Sequence, residues 1–97
     1  MKENFIEYLK RKGYKEYTQT GSPSTIYAYI KGIERVIKWE GLDDWTDVKN
    51  NIDHLCEIYG EGGTKEKLGQ QSNNTIICAL LRFREFLVVR LYQELKK

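Results

Sequence analysis

The sequence contains little of several features that catalytic, exported or membrane proteins need. Its 97 residues include one proline, one histidine and two cysteines. No run of 18 or more apolar residues is present, so a membrane-spanning helix is excluded. The N-terminal stretch MKENFIEYLKRKGYK carries acidic residues and has no apolar segment of the signal-peptide type. Together these absences predict a cytoplasmic protein with no membrane partner.

The few candidate catalytic or metal-binding groups are scattered. His54 lies between apolar residues in a helical pattern, and one histidine with two dispersed cysteines, Cys56 and Cys78, does not form a zinc motif. The cysteines are therefore interpreted as small buried hydrophobic residues. Asp43 and Asp44 precede a helix, whose N-terminus accounts for two carboxylates without acid/base catalysis. The sequence predicts no catalytic residue, no metal and no cofactor.

The segment GEGGTKEKLG, residues 60 to 69, superficially resembles a phosphate-binding loop. It lacks the Gly-Lys-Ser/Thr ending and the preceding strand of such loops. Its glycines instead indicate a mobile connector between two helices.

Between the glycine-containing breaks the apolar periodicity is helical, and no strand-type alternation is found. The pattern predicts four helices, over residues 3–13, 22–40, 46–60 and 72–95. With 97 residues available, we expect one domain, a compact all-α bundle that occupies residues 1–97.

Two of these helices begin with similar sequences. SPSTIYAYIKGIERVI covers residues 22 to 37, and SNNTIICALLRFREFL covers residues 72 to 87. Ser22 and Ser72 are candidate N-caps. The apolar positions of the two phrases coincide and predict two core-facing stripes, formed by Ile26, Ile30, Ile33 and Ile37 and by Ile76, Leu80, Phe83 and Leu87.

Charge is distributed unevenly along the chain. Residues 1–40 contain eight Lys/Arg and five Asp/Glu, residues 41–63 one and six, and residues 64–97 seven and three. On the second helix, Lys31, Arg35 and Lys38 lie opposite the isoleucine stripe and form a basic ridge. The ridge could face a nucleic acid, or the charges could merely solvate a helical bundle.

The order of these elements resembles a known family. A short leading helix is followed by Ser22-Pro-Ser-Thr25-Ile26 with Tyr29, then a Gly41-Leu42 turn, a third helix and a loop. Ser72-x-x-Thr75-Ile76 and Ala79-Leu80-x-x-Phe83-x-x-Phe86-Leu87 complete the pattern. Over nearly the whole chain this resembles the N-terminal core-binding domain of tyrosine recombinases, the phage-integrase type.

The resemblance implies a SAM-like four-helix bundle whose second and fourth helices face the major groove of double-stranded DNA. Chemistry in that family belongs to a following catalytic domain, and this sequence supplies no Arg and His companions for Tyr92. We therefore expect a non-catalytic DNA-binding module, which would act with a C-terminal catalytic domain or another protein. The candidate DNA contacts are Ser22, Thr25, Lys31, Arg35, Lys38, Ser72, Asn73, Asn74 and Thr75.

An alternative follows from the aromatic content. Seven tyrosines and two tryptophans are more than a bundle of 97 residues needs inside, so some must be exposed. Exposed Tyr and Trp often anchor protein interfaces. A helical protein-interaction domain that does not bind DNA is therefore the second hypothesis.

Overall fold

The computed structural model describes residues 1–15 and 24–96. Within these ranges the chain forms six helices and no strand. The helices are α1 (Lys2–Arg11), α2 (Thr25–Trp39), α3 (Trp45–Asn50), α4 (Ile52–Tyr59), α5 (Glu66–Gly69) and α6 (Gln71–Leu95). α1, α2, α4 and α6 are the four long helices, and the predicted compact all-α architecture is confirmed.

The predicted third helix consists of two helices separated at Asn51. The Asp44 carboxylate begins α3 by accepting a hydrogen bond from the Asp47 N–H at 3.2 Å, as an N-cap does. At the other end, the Asn51 side chain donates to the Asp47 carbonyl at 2.8 Å. Asn51 has φ −118° and ψ 14°, so the chain changes direction before α4 begins. The carboxylate of Asp44 is therefore accounted for by capping.

α6 is the central helix, since α1, α2, α4 and α5 all pack against it. Phe83 is fully buried at the middle of an aromatic cluster, with its ring centroid 5.1 Å from that of Phe5 and 5.5 Å from that of Trp45. Phe86 extends the cluster, with its centroid 5.8 Å from that of Phe83. These rings join α1 and α3 to α6.

The two predicted apolar stripes both face the core. Six of their eight residues are buried, namely Ile26, Ile30, Ile33, Ile76, Leu80 and Phe83, while Ile37 and Leu87 are partly buried against the core. α2 and α6 approach closely at Gly32, where a Cβ atom would lie 3.3 Å from the Ala79 Cβ. The two similar phrases thus form one interface between two helices.

The glycine-containing segment 60–69, where the sequence predicted a mobile connector, is a packed loop that ends in the short helix α5. A Cβ atom at Gly69 would lie 2.0 Å from the Tyr59 carbonyl oxygen, so only glycine fits there. The Lys65 N–H donates to the Ile58 carbonyl at 2.8 Å. These contacts fold the segment back onto the C-terminal end of α4.

The C-terminal part of α6 extends beyond the globule. Val88, Leu91 and Leu95 are exposed, with 61%, 58% and 76% of their surface accessible. Despite these apolar residues, none of the helices in the described ranges is long and apolar enough to cross a bilayer.

Candidate nucleic-acid interface

The basic ridge lies on the solvent side of α2. Lys31, Arg35 and Lys38 are all exposed, as predicted. Ile33 and Val36 are fully buried on the opposite side of the same helix. With 100° between successive residues, this burial directs the three cations away from the core.

The three cations differ in their partners. Lys31 Nζ lies 3.7 Å from a Glu34 carboxylate oxygen and 5.6 Å from the centroid of the Tyr27 ring. Within the described part of the chain, neither Arg35 nor Lys38 forms an ion pair. The distal half of the ridge therefore has two uncompensated charges, whereas the charge of Lys31 is partly neutralised.

The predicted capping of α6 by Ser72 is wrong. The helix is kinked at residues 72–74, and Ser72 itself is left-handed there, with φ 56° and ψ 50°. Asn73 and Asn74 share this left-handed conformation, with φ values of 57° and 66°. The Thr75 hydroxyl donates a hydrogen bond to the Ser72 carbonyl. Residues 72–75 are called the polar turn below.

The polar turn is conformationally costly. A left-handed conformation costs roughly 1–2 kcal/mol for each residue with a side chain, although Asn tolerates it better than most residues. Ser72, Asn73 and Asn74 are all exposed, and Thr75 is half-buried. Their polar groups are therefore presented to solvent on a strained backbone, an arrangement that is found most often at functional sites.

The polar turn lies next to the contact between α2 and α6. Gly32 of α2 packs against Ile76, which directly follows Thr75 in the chain. Arg35 lies one helical turn further along α2 on the same flank. Arg35 and Thr75 are therefore each within three residues of the contact between α2 and α6.

Two of the sequence-predicted contacts do not join this group. Thr25 is exposed at the first position of α2, about 10 Å along the helix axis from the crossing at Gly32. Ser22 lies outside the described residues. The residue that occupies the N-cap of α2 is Ser24, whose hydroxyl donates to the Lys15 carbonyl.

Two neighbours of the ridge were missed by the sequence analysis. Glu34 places a carboxylate beside Lys31, and its i+3 spacing from Lys31 was the available signal. Trp39 is 37% exposed near the end of the ridge, and its ring stacks on that of Tyr59 with centroids 6.2 Å apart. Trp39 directly follows Lys38 in the chain, but its stacking on Tyr59 is visible only in the packed structure.

A hydrogen-bonded cluster holds the packed loop against α2. Glu40 accepts hydrogen bonds from the Tyr59 hydroxyl at 2.7 Å and from the Lys65 ammonium. Burial opposes ionisation of Glu40, but these two bonds outweigh it and lower its pKa below the usual value. Burial and the bond to Glu40 raise the pKa of Tyr59. Lys65 is thus engaged inside the protein and does not extend the ridge.

A similar cluster joins α1 to α6. Glu85 accepts a hydrogen bond from the Tyr8 hydroxyl and lies 3.3 Å from Lys12 and 3.2 Å from Arg82. The bond from Tyr8 is the main cause of the lowered pKa of Glu85, which burial opposes. Burial and the same bond raise the pKa of Tyr8 to about 12. These groups stabilise helix packing and are distinct from the ridge.

Groups for metal binding do not converge in the described part of the chain. No cluster of three or more His, Cys, Asp or Glu residues that could hold a metal is formed there. Cys56 is buried in the core, and burial raises the pKa of its thiol, which lowers the fraction present as the reactive thiolate. Cys78 is only partly buried, which differs from the predicted burial of both cysteines.

Comparisons with known proteins identify no relative. No protein-family model matches the chain, and neither a curated protein nor a solved structure matches it. Function must therefore be argued from the arrangement of the residues themselves.

Proposed function

We propose that this chain is a non-catalytic module that binds double-stranded DNA through the distal half of the basic ridge and the polar turn. The observation that carries the proposal is the position of Arg35 and Lys38. Both are exposed and have no ion-pair partner in the described ranges, and the polar turn, next to the α2–α6 contact, presents exposed amide and hydroxyl groups. The proposed arrangement is similar to that implied by the resemblance to recombinase core-binding domains.

The two parts of the surface have different roles in the proposal. Arg35 and Lys38 contact phosphates, which supplies affinity and releases counterions from the DNA. The side chains of Asn73, Asn74 and Thr75 approach the backbone or a base edge as hydrogen-bonding groups. Of these, Asn offers both a donor and an acceptor and can pair with adenine in the major groove.

Lys31 contributes less than its position in the sequence indicates. Its ammonium is already paired with Glu34, and the same carboxylate lies 3.4 Å from Lys2. A phosphate near Lys31 would also be repelled by Glu34, since like charges destabilise each other. The strongest electrostatic attraction is therefore expected from Arg35 and Lys38.

The test compares two double variants that each remove two positive charges. Arg35→Ala/Lys38→Ala removes the distal ridge. Lys10→Ala/Lys96→Ala removes two exposed cations from α1 and from the end of α6. Exposed helix positions tolerate such changes within about 0.5 kcal/mol, so both proteins should remain folded.

Affinity for a duplex is measured at several salt concentrations. If both ridge residues contact phosphates, the slope of log K against log salt should be less steep by about 1.8 in the ridge variant than in wild type. The control variant should retain the wild-type slope. Equal affinities and slopes for the ridge variant and wild type would contradict the proposal. The same conclusion would follow if the wild-type protein showed no salt-dependent binding.

The alternative function, protein interaction without DNA, is supported by the exposed apolar residues near the end of α6. An apolar interface responds little to salt, in contrast to phosphate binding. The salt titration therefore separates the two functions directly.

A further inference from the structure

The exposed part of α6 carries a second ordered pattern. Leu81, Arg84, Val88, Leu91 and Leu95 are separated by three, four, three and four residues. This is the spacing of the seam positions in a coiled coil. Val88, Leu91 and Leu95 are exposed, whereas Leu81 is partly buried against the core and Arg84 is half-buried. These five positions are called the distal seam below.

We propose that the distal seam pairs with the distal seam of a second copy of this chain, in antiparallel orientation. The proposal is independent of DNA binding and rests on the pattern of apolar and charged residues along the seam. A two-fold axis between Val88 and Leu91 places Val88 of each copy opposite Leu91 of the other. Arg84 then faces Leu95 of the second copy.

The charge of Arg84 determines the orientation. In a parallel pair, Arg84 would face Arg84 of the second copy inside the seam, where like charges repel. In the antiparallel pair, its guanidinium comes level with Glu94 of the second copy, one residue before Leu95. Because the interface is two-fold symmetric, this Arg84–Glu94 contact forms twice.

A groove at the base of the exposed helix fits the end of the second helix. It has a volume of about 330 Å³ and is lined on one side by Met1, Lys49 and Ile52 and on the other by α6 residues that include Arg84 and Leu87. In the proposed register the partner helix ends at this level. The apolar walls of the groove can receive Leu95 of the second copy.

The electrostatics of the groove agree with this occupant. Lys49, Arg84 and Arg90 bring three cations to its lining and Glu94 brings one carboxylate, so the lining is positive on balance. A helix C-terminus carries a partial negative charge, and the side chains of Glu94 and Lys96 near the arriving end offset each other. The positive groove therefore suits the dipole of the arriving helix, and its apolar walls suit Leu95.

The expected dimer is weak and reversible. The seam covers about two heptads, whereas independent coiled coils usually need three or four. Association should therefore depend on concentration and exchange rapidly. Sedimentation equilibrium of the full chain without DNA, over about three decades of concentration, measures it. The average mass should rise from the monomer towards twice that value.

Seam variants give the first arm of the test. Leu91→Glu removes one apolar contact from each copy and should weaken dimerisation by about 100-fold or more, since both copies lose it. Tyr27→Glu is the matched control, because Tyr27 is 47% exposed but lies on α2. It should leave the dimer unchanged. Far-UV circular dichroism verifies that each variant is folded.

A charge exchange tests the register. Arg84→Glu and Glu94→Arg each place like charges together at two contacts, and each should weaken dimerisation by about tenfold or more. The double variant Arg84→Glu/Glu94→Arg recreates both pairs with the charges reversed and should recover most of the lost affinity. Such recovery requires the two residues to meet across the interface.

Several results would overturn the proposal. A wild-type protein that stays monomeric at every concentration, or that forms assemblies larger than a dimer, is incompatible with the antiparallel pair. A dimer unaffected by Leu91→Glu would use another surface. Failure of the double charge exchange to recover affinity, with both single variants weakened, would exclude the Arg84–Glu94 register.

Discussion

Replacing Phe83 with alanine should cause the largest loss of stability for a single truncation on α6. Its ring is fully buried and contacts aromatic rings from three helices. The centroid distances are 5.1 Å to Phe5 of α1, 5.5 Å to Trp45 of α3 and 5.8 Å to Phe86 of α6. Removing the ring would leave a cavity that helices fixed at other contacts can fill only in part.

The magnitude follows from the burial. Phe→Ala substitutions at buried sites cost about 3–5 kcal/mol, through lost transfer energy and the cavity that remains. Domains of this size are stable by only about 5–15 kcal/mol, so the change would remove a large fraction of the total. With a urea m-value of about 1–1.5 kcal/mol/M, the unfolding midpoint should fall by at least about 2 M.

Urea unfolding monitored by circular dichroism measures the effect, with two variants for comparison. Phe83→Leu keeps most of the volume and should cost about 1–2 kcal/mol. Tyr27→Ala changes an aromatic residue that is 47% exposed and should stay within about 0.5 kcal/mol of wild type. A midpoint for Phe83→Ala within about 0.5 M of wild type would refute the central position of α6.

Two further predictions concern the polar turn and pH. Asn73→Gly should relieve a left-handed conformation, raising stability by up to about 1 kcal/mol in urea unfolding while weakening duplex binding; unchanged binding would exclude the Asn73 side chain from the interface. Because the folded-state pKa of Tyr8 is raised from 10.0 to about 12, its stabilising contribution is complete below pH 10 and is lost as the pH rises towards 12. The melting temperatures of wild type and Tyr8→Phe should therefore converge between pH 10 and about 12. A constant difference would contradict the raised pKa of Tyr8.

The long helices were predictable because the apolar periodicity that defines them is a local feature of the sequence. The isoleucines of α2 and the stripe from Ile76 to Phe83 repeat with the period of a helix, and a helix with one apolar face must bury that face. The exposure of the basic ridge follows from the same geometry, since Lys31, Arg35 and Lys38 lie opposite the buried face. Periodicity was therefore sufficient for the all-α class and for the ridge.

The local pattern was insufficient where several conformations satisfy it. Residues 46–60 read as one helix because the apolar period continues through Asn51, whose side chain in fact ends α3. Ser72 read as an N-cap because serine favours that position, but the chain forms a left-handed turn there. The glycine-containing segment 60–69 was predicted to be a mobile connector. The close packing of Gly69 against the Tyr59 carbonyl oxygen could not be predicted, because it depends on tertiary structure.

By itself, the sequence determined which residues turn inward and which cations turn outward, because both follow from a spacing of 100° per residue. Tertiary structure alone decided which of those surfaces meet. Contact between Gly32 and Ile76 brings the middle of α2 to the residue that follows the polar turn, although about forty residues separate them in the chain. It also decided that α6 is covered at Phe83 and exposed at Leu91. Such juxtapositions depend on how complete helices pack, which no local repeat encodes.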